Sequence, residues 1–245
     1  MREYESGAYI VSRRSGGRSG RNKRPRRSGG GAALLFAVLI FLTVAICLLI
    51  VFLPKIKFGE KTVSGTPTFS GKTFYALAVG ESDDYKTAAV FATDTANRGG
   101  AGYLYNSGSY SAIAAVYERE SDAKALAELN ENAHYFSVSL PKTSCGEGDK
   151  AVLDYLAGDF FGAVDTAAVE LDRGNATEAA ADYAVKNAFK KLLILGQNAE
   201  SESLKIAIEQ TCDYNLQNAG NRTVLSYIRF MTVRVILTVK ESMTV

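Results

Sequence analysis

Residues Ala32 to Leu53 read AALLFAVLIFLTVAICLLIVFL, twenty-two positions without a charge and with only Thr43 and Cys47 mildly polar. Coiled as a helix, such a stretch rises about 33 Å, enough to cross the hydrocarbon of a bilayer. A cleaved secretion signal has a shorter apolar core, about 7–15 residues, followed by a small-residue cleavage site. Here PKIKFGE follows instead. The stretch is read as an uncleaved transmembrane helix over residues 32–53, with a signal peptide or a buried core helix as its rivals.

The span separates two segments of opposite charge. Residues 1–31 carry nine Lys/Arg against Glu3 and Glu5, a net +7, and the rest of the chain sums to −5. Lys/Arg-rich flanks stay cytoplasmic, and RRSGGRSGRNKRPRR outweighs Lys55, Lys57 and Lys61. The expected topology is a single pass in the cell membrane, N-terminus cytoplasmic, with residues 54–245 extracytoplasmic. The Gly/Ser-rich basic arm has too little apolar content to fold and is expected to be disordered against anionic headgroups. Its arginines already have a topological role, so no nucleic-acid partner is expected. Of the three cysteines, Cys47 falls in the span, leaving Cys145 and Cys212 either bridged or as two partly buried thiols.

Residues 54–72 contain prolines and glycines without a period and are read as a linker. They end in Gly71-Lys72, and Gly71-Lys72-Thr73 invites comparison with a phosphate-binding loop. Such a loop needs a glycine with four residues between it and Gly71, where Thr66 stands, and it opens a helix, whereas this triplet precedes an apolar strand. No nucleotide or other cofactor is expected.

From Phe74 the pattern becomes regular. FYALAVG reads as a strand and SDDYKTAAVFATDTANRGG as a helix opened by Ser82, Asp83 or Asp84. AGYLYNSGSYSAIAAVYE reads as a hairpin about an Asn-Ser-Gly turn, ESDAKALAELNENA as a helix capped by Ser121 or Asp122, and HYFSVSL as a last strand. The order βαββαβ predicts an α+β fold, a four-stranded antiparallel ferredoxin-like domain over residues 73–142 with both helices on one face. Alternation puts Tyr75, Leu77, Val79, Leu104, Ala112, Ala114, Val116, Phe136, Val138 and Leu140 under those helices. Phe74, Ala76, Ala78, Tyr103, Tyr105, Ser111, Ile113, Tyr135, Ser137 and Ser139 would form the opposite, open face.

In spacing, FYALAVGESDDYKTAAVFATDTANRGGAGYLYNSGSYSAIAAVYERESDAKALAE resembles the SPOR family, the sporulation- and division-related module that binds bacterial peptidoglycan. Leu77-Ala78-Val79-Gly80 matches its Val-Gln-Val-Gly motif except for Ala78 in place of Gln, and YSAIAAVY (Tyr110 to Tyr117) matches its second-half strand more loosely. The resemblance covers residues 74–140. It implies a non-enzymatic protein whose sheet face lies along glycan strands stripped of stem peptides, at the division or sporulation septum, among septal or sporulation proteins. Carried over by position, the glycan-binding residues would be Tyr103, Tyr105, Ser111, Ala78 and Ile113, the aromatics stacking on the apolar sides of sugars. The competing reading is that the face is apolar because a partner or the C-terminal segment covers it, in a structural or assembly protein.

Residues 148–243 read as helices. Val152, Leu153, Leu156, Phe160, Val164 and Ala167 recur at three-to-four spacing; a second helix starts at Asn175 or Thr177 and stops at Gly196; a third runs from Ser201 or Ser203 to Gly220. The last segment, RTVLSYIRFMTVRVILTVKE, is rich in β-branched residues, yet Val224, Leu225, Ile228, Met231, Val235, Ile236 and Val239 trace one helical stripe. A C-terminal helical bundle for recruitment or oligomerisation is expected. No catalytic or metal-binding constellation stands out: His134 is the single histidine, no Cys/His set has zinc spacing, and Asp83-Asp84, Asp154, Asp159 and Asp165 are the carboxylate pairs any acidic chain offers.

Overall fold

The computed structural model of the chain describes residues 66–244. The predicted span, the basic arm and most of the linker lie outside the described residues, and among the described ones no helix is long and apolar enough to cross a membrane.

Short strand β1 (Thr68–Phe69) precedes β2 (Lys72–Ser82), α1 (Tyr85–Asn97), the hairpin β3 (Tyr103–Asn106) and β4 (Tyr110–Tyr117), α2 (Glu120–Ala127), β5 (His134–Leu140) and β6 (Thr143–Ser144). The main sheet is α+β in character, with order β3-β4-β2-β5 and every pairing antiparallel. Two interleaved β-α-β units give that order, because each crossover helix carries the chain past the strand that will later fill the gap. Asp84 caps α1 as anticipated, accepting from the Thr87 backbone N–H and hydroxyl, both at 2.8 Å. Neither Ser121 nor Asp122 caps α2. It starts after Arg119, whose Nε lies 2.9 Å from Asp122 Oδ2.

The linker gives up its last residues to the fold. β1 pairs with β6, and the Phe69 side chain enters the core at 1% exposure. Beyond β6, α3 (Glu147–Tyr155) passes through a π-helical turn (Leu156–Phe160) into α4 (Phe161–Asp172). Leu156, Phe160, Phe161 and Val164, in and after this turn, all face inward. Then come α5 (Glu178–Gly196), α6 (Glu202–Thr211), a 3-10 turn (Leu216–Asn218) and α7 (Val224–Ser242). Thr177, Ser201 and Thr223 cap α5, α6 and α7 through their hydroxyls. Helix α6 ends well short of Gly220: Cys212 closes it and Asp213–Asn215 leave the helical path.

The β-branched last segment is a helix. It lies between the sheet and helices α4, α5 and α6, so its buried residues are not one stripe but include Tyr227, Ile228, Met231, Val233, Val235, Ile236, Leu237 and Val239. A helix apolar nearly all round needs cover on several sides, and this position supplies it. The segments read separately as a sheet domain and a helical region consequently share one hydrophobic core, running from Phe74, Ala78 and Ile113 on the sheet to Phe189, Ile208 and Ile236 in the helices.

Two details of register correct the predicted faces. Phe74 pairs with Val138 and Ala76 with Phe136, so Phe136, Val138 and Leu140 share the face of Phe74, Ala76 and Ala78, while Tyr135, Ser137 and Ser139 share that of Tyr75 and Leu77. In an antiparallel ladder, partners point the same way, and a one-residue shift inverts a whole strand. On β4, Leu77 pairs with Ala115 but Ala78 with Ile113, leaving Ala114 as a bulge, so Val116 and Ile113 end up on one face.

Candidate functional site

The five residues expected to bind glycan do come together. Ile113 pairs with Ala78 on one side and Tyr103 on the other, and Ser111 pairs with Tyr105. The face they form is not open. Phe74, Ala76, Ala78 and Ile113 are 0% exposed and Ser111 3%, because α4 and α7 lie across them. Phe161 of α4 packs on Phe74 with ring centroids 4.8 Å apart. Tyr103 packs on Phe230 of α7 at 5.6 Å, and Tyr105 stacks on Phe136 at 5.7 Å while Lys240 Nζ donates to its hydroxyl at 3.1 Å. Both tyrosines that were to stack on sugars already pack against aromatic rings of the protein. The physical reason is volume: small Ala76 and Ala78 on the sheet leave room for the bulky α4 and α7 side chains, and burying that apolar surface drives the closure.

Polar contacts pin this cover at one end. Arg222 donates to the carbonyls of Ala101 (2.7 Å) and Gly102 (3.3 Å), with its guanidinium 4.4 Å from the centre of the Phe230 ring. Ser226 Oγ donates to Gly100 O at 2.7 Å, and Arg229 Nη1 to Gly99 O at 3.0 Å. Desolvation holds the Arg222 guanidinium below its usual basicity. The carbonyls it neutralises belong to the loop between α1 and β3, which approaches closely because Gly102 has φ +56° and no side chain to strike Ala92.

The other face of the sheet carries α1 and α2, which pack on the strands, and beside α1 lies a cleft of about 240 Å³ that reaches to Asn130 in the turn after α2. Its floor is Val79, Ala114 and Ala115, just where the two bulges in the β2–β4 ladder fall. Phe91 forms one wall, Asn130 closes one part, and Tyr117, Arg98 and Arg229 bring polar groups to the rest. Burial raises the Tyr117 hydroxyl's pKa against the pull of Arg229, so it stays a neutral donor. Arg229 also reaches Asp172 Oδ2 at 3.0 Å, and Arg98 reaches Asp94 at 3.1 Å from an exposed position. The lining joins an apolar floor to the Tyr117 hydroxyl and to two arginines that are each already paired, Arg98 with Asp94, itself in the lining, and Arg229 with Asp172. These residues come from five separate segments, which is why spacing along the chain did not single them out.

The remaining candidates resolve locally. His134 Nε2 lies 3.7 Å from Glu81 at a strand start. Asp84 is a helix cap whose carboxyl is held below its ordinary range, first by the Thr87 hydroxyl and then by the Thr87 backbone N–H. Asp154 pairs with Lys150, and Asp159 lies 3.7 Å from Lys191. Cys145 and Cys212 are unbridged, and burial pushes the Cys212 thiol up to about 12. Among the described residues no group of three or more His, Cys, Asp or Glu is placed to hold a metal ion. Compared with known proteins, the chain matches no protein-family model, no curated protein and no solved structure.

Proposed function

We propose that this chain is a non-enzymatic, membrane-anchored envelope protein that works by protein-protein contact, as a structural or assembly component, and not by laying its sheet along glycan. The observation that carries the reading is the cover over Ala78, Ile113 and Ser111: a polysaccharide could reach them only by displacing α7, whose Val233, Val235, Ile236 and Val239 are all 0% exposed. The predicted span and cytoplasmic arm would hold the folded unit at the extracytoplasmic surface. The SPOR resemblance makes the septum the natural place to look for it, and septal or sporulation proteins its natural neighbours. The alternative, recognition of peptidoglycan glycan strands, requires the sheet face to open.

A pull-down on whole peptidoglycan and on amidase-stripped glycan tests this, with wild type beside Tyr103→Ala/Tyr105→Ala. The assembly reading expects no retention of either protein on either material. Retention on stripped glycan that is lost in the double variant would overturn it.

A further inference from the structure

The assembly reading leaves the partner's chemistry open, and the border of the sheet at β3 bears on it. β3 has a neighbour, β4, on one side only. Along its other side, alternate residues turn backbone N–H and C=O groups outward with no strand to receive them. Helix α1 lies on one face of the sheet and α7 on the other, and a groove of about 440 Å³ lined by both runs round this border. Gly102 and Leu104 line it from the strand, Ala92 and Ala96 from α1, and Arg222 and Phe230 from the α7 side. That volume lies in the roughly 300–1,000 Å³ range typical of ligand sites.

Arg222 decides what the groove selects. Arg229 is paired with Asp172 and Arg234 with Asp213, but Arg222 ion-pairs with no carboxylate among the described residues. Two carbonyls and the Ser226 hydroxyl (3.4 Å) take three of its five N–H groups. Nε–H and one Nη2 hydrogen are left, on the pair of atoms that grips a carboxylate side-on. No acidic side chain lines the groove; Asp94, further along α1, is held by Arg98 at 3.1 Å. The two charges that bear most on Tyr103, Glu241 and Arg234, oppose each other.

The same guanidinium marks where an added strand must stop. It occupies Ala101 O and Gly102 O, the acceptors a longer strand would need next, so a strand laid on β3 meets a cation there instead of further backbone. An antiparallel strand, the one sense of pairing in this sheet, arrives at that point with its C-terminal end. A free C-terminal carboxylate both ends the strand and fits the fork.

We infer that the β3 border is a docking site for the extended C-terminus of a partner protein, its backbone adding antiparallel to Tyr103–Asn106 and its terminal carboxylate held by Arg222. The inference rests on the assembly reading and names its partner by that chemistry.

The probe is a library of random peptides displayed with free C-termini and selected on the full chain in detergent micelles. Selected sequences are synthesised and their binding read by fluorescence anisotropy, each as free acid, as C-terminal amide, and with a single backbone N-methyl group at successive positions. The expected result is free acids binding at least about tenfold more tightly than their amides, with losses on N-methylation at every second residue only, since alternate N–H groups face β3. Arg222→Gln, checked for fold by circular dichroism, should abolish the preference for acid over amide. No selected peptide, equal binding of acid and amide, N-methyl losses without alternation, or a folded Arg222→Gln that keeps the preference overturns the inference; the first three need no variant. The same preparation applied to stripped glycan separates the two levels: retention there sinks the assembly reading, whereas a chain that ignores both glycan and peptides loses only its C-terminal partner.

Discussion

Ile113→Ala measures whether the sheet face is sealed. Ile113 sits between Ala78 and Tyr103 on the two neighbouring strands and is 0% exposed beneath the helices. Removing three carbons forfeits about 2.4 kcal/mol of transfer free energy at about 0.8 kcal/mol per carbon. If α7 does not settle into the gap, a void of roughly 70 Å³ adds about 1.7 kcal/mol at about 24 cal/mol per Å³. Partial collapse lowers the second figure, so the expected loss is about 2.5–4 kcal/mol. Urea unfolding of the chain, followed by far-UV circular dichroism with m-values compared, gives the number. Val90→Ala is the control: Val90 is 66% exposed, and its truncation should change stability by no more than about 0.5 kcal/mol. On an open sheet face Ile113 would behave much like that control. A loss below about 1 kcal/mol for Ile113→Ala would refute the sealed-face argument.

Three further outcomes follow from local geometry. Asp149, 7% exposed, accepts from the backbone N–H groups of Glu200 (2.8 Å) and Ser201 (2.9 Å) through one oxygen. Asp149→Ala strands both donors and should cost about 2–4 kcal/mol by urea unfolding, with Asp149→Asn recovering about half. Gly102→Ala would put a Cβ 2.3 Å from Ala92 O at a φ of +56°, so a drop of about 2–4 kcal/mol is expected, read as a lowered thermal midpoint. For Cys212 the sign follows from its thiol being raised to about 12 by burial, against about 8.5 when unfolded: between those values the folded chain holds the proton and the unfolded chain releases it. Stability should therefore fall as pH rises from about 9 towards 12, by up to about 1.4 kcal/mol per unit from this group, and urea midpoints of Cys212→Ala should lack that part of the slope.

Much of the fold was legible because the signals were local. The apolar runs at Phe74, Tyr103, Ser111 and His134, the turn at Asn106 to Gly108, and caps such as Asp84, Thr177 and Ser201 each act within a few residues, and their order alone implied the antiparallel sheet. Which face β5 presents was not local. HYFSVSL has aromatics at both Tyr135 and Phe136, so its alternation fits either way until the register against β2 decides. The bulge at Ala114 lies in a run of small residues, SAIAAV, with no turn residue to mark it. The cover over the sheet did leave a trace: a segment as apolar as VLSYIRFMTVRVILTV is more than one stripe requires, and its excess belongs to the sheet. The cleft beside α1 left none, since Arg98, Tyr117 and Arg229 meet only through tertiary packing.

The claim beneath both proposals is that the face bearing Ser111 belongs to the interior. Substituting Ser111→Cys and, separately, Ser137→Cys, then following maleimide labelling of each cysteine by peptide mass spectrometry, tests it with near-isosteric changes. Ser111 is 3% exposed under α7 and Ser137 is exposed on the other face. The account predicts that Cys at 137 labels at the rate of a free thiol, while Cys at 111 labels at least about a thousandfold more slowly, limited by opening of the fold. Comparable rates at the two positions would mean that the sheet face is open in solution, and would return glycan binding to first place.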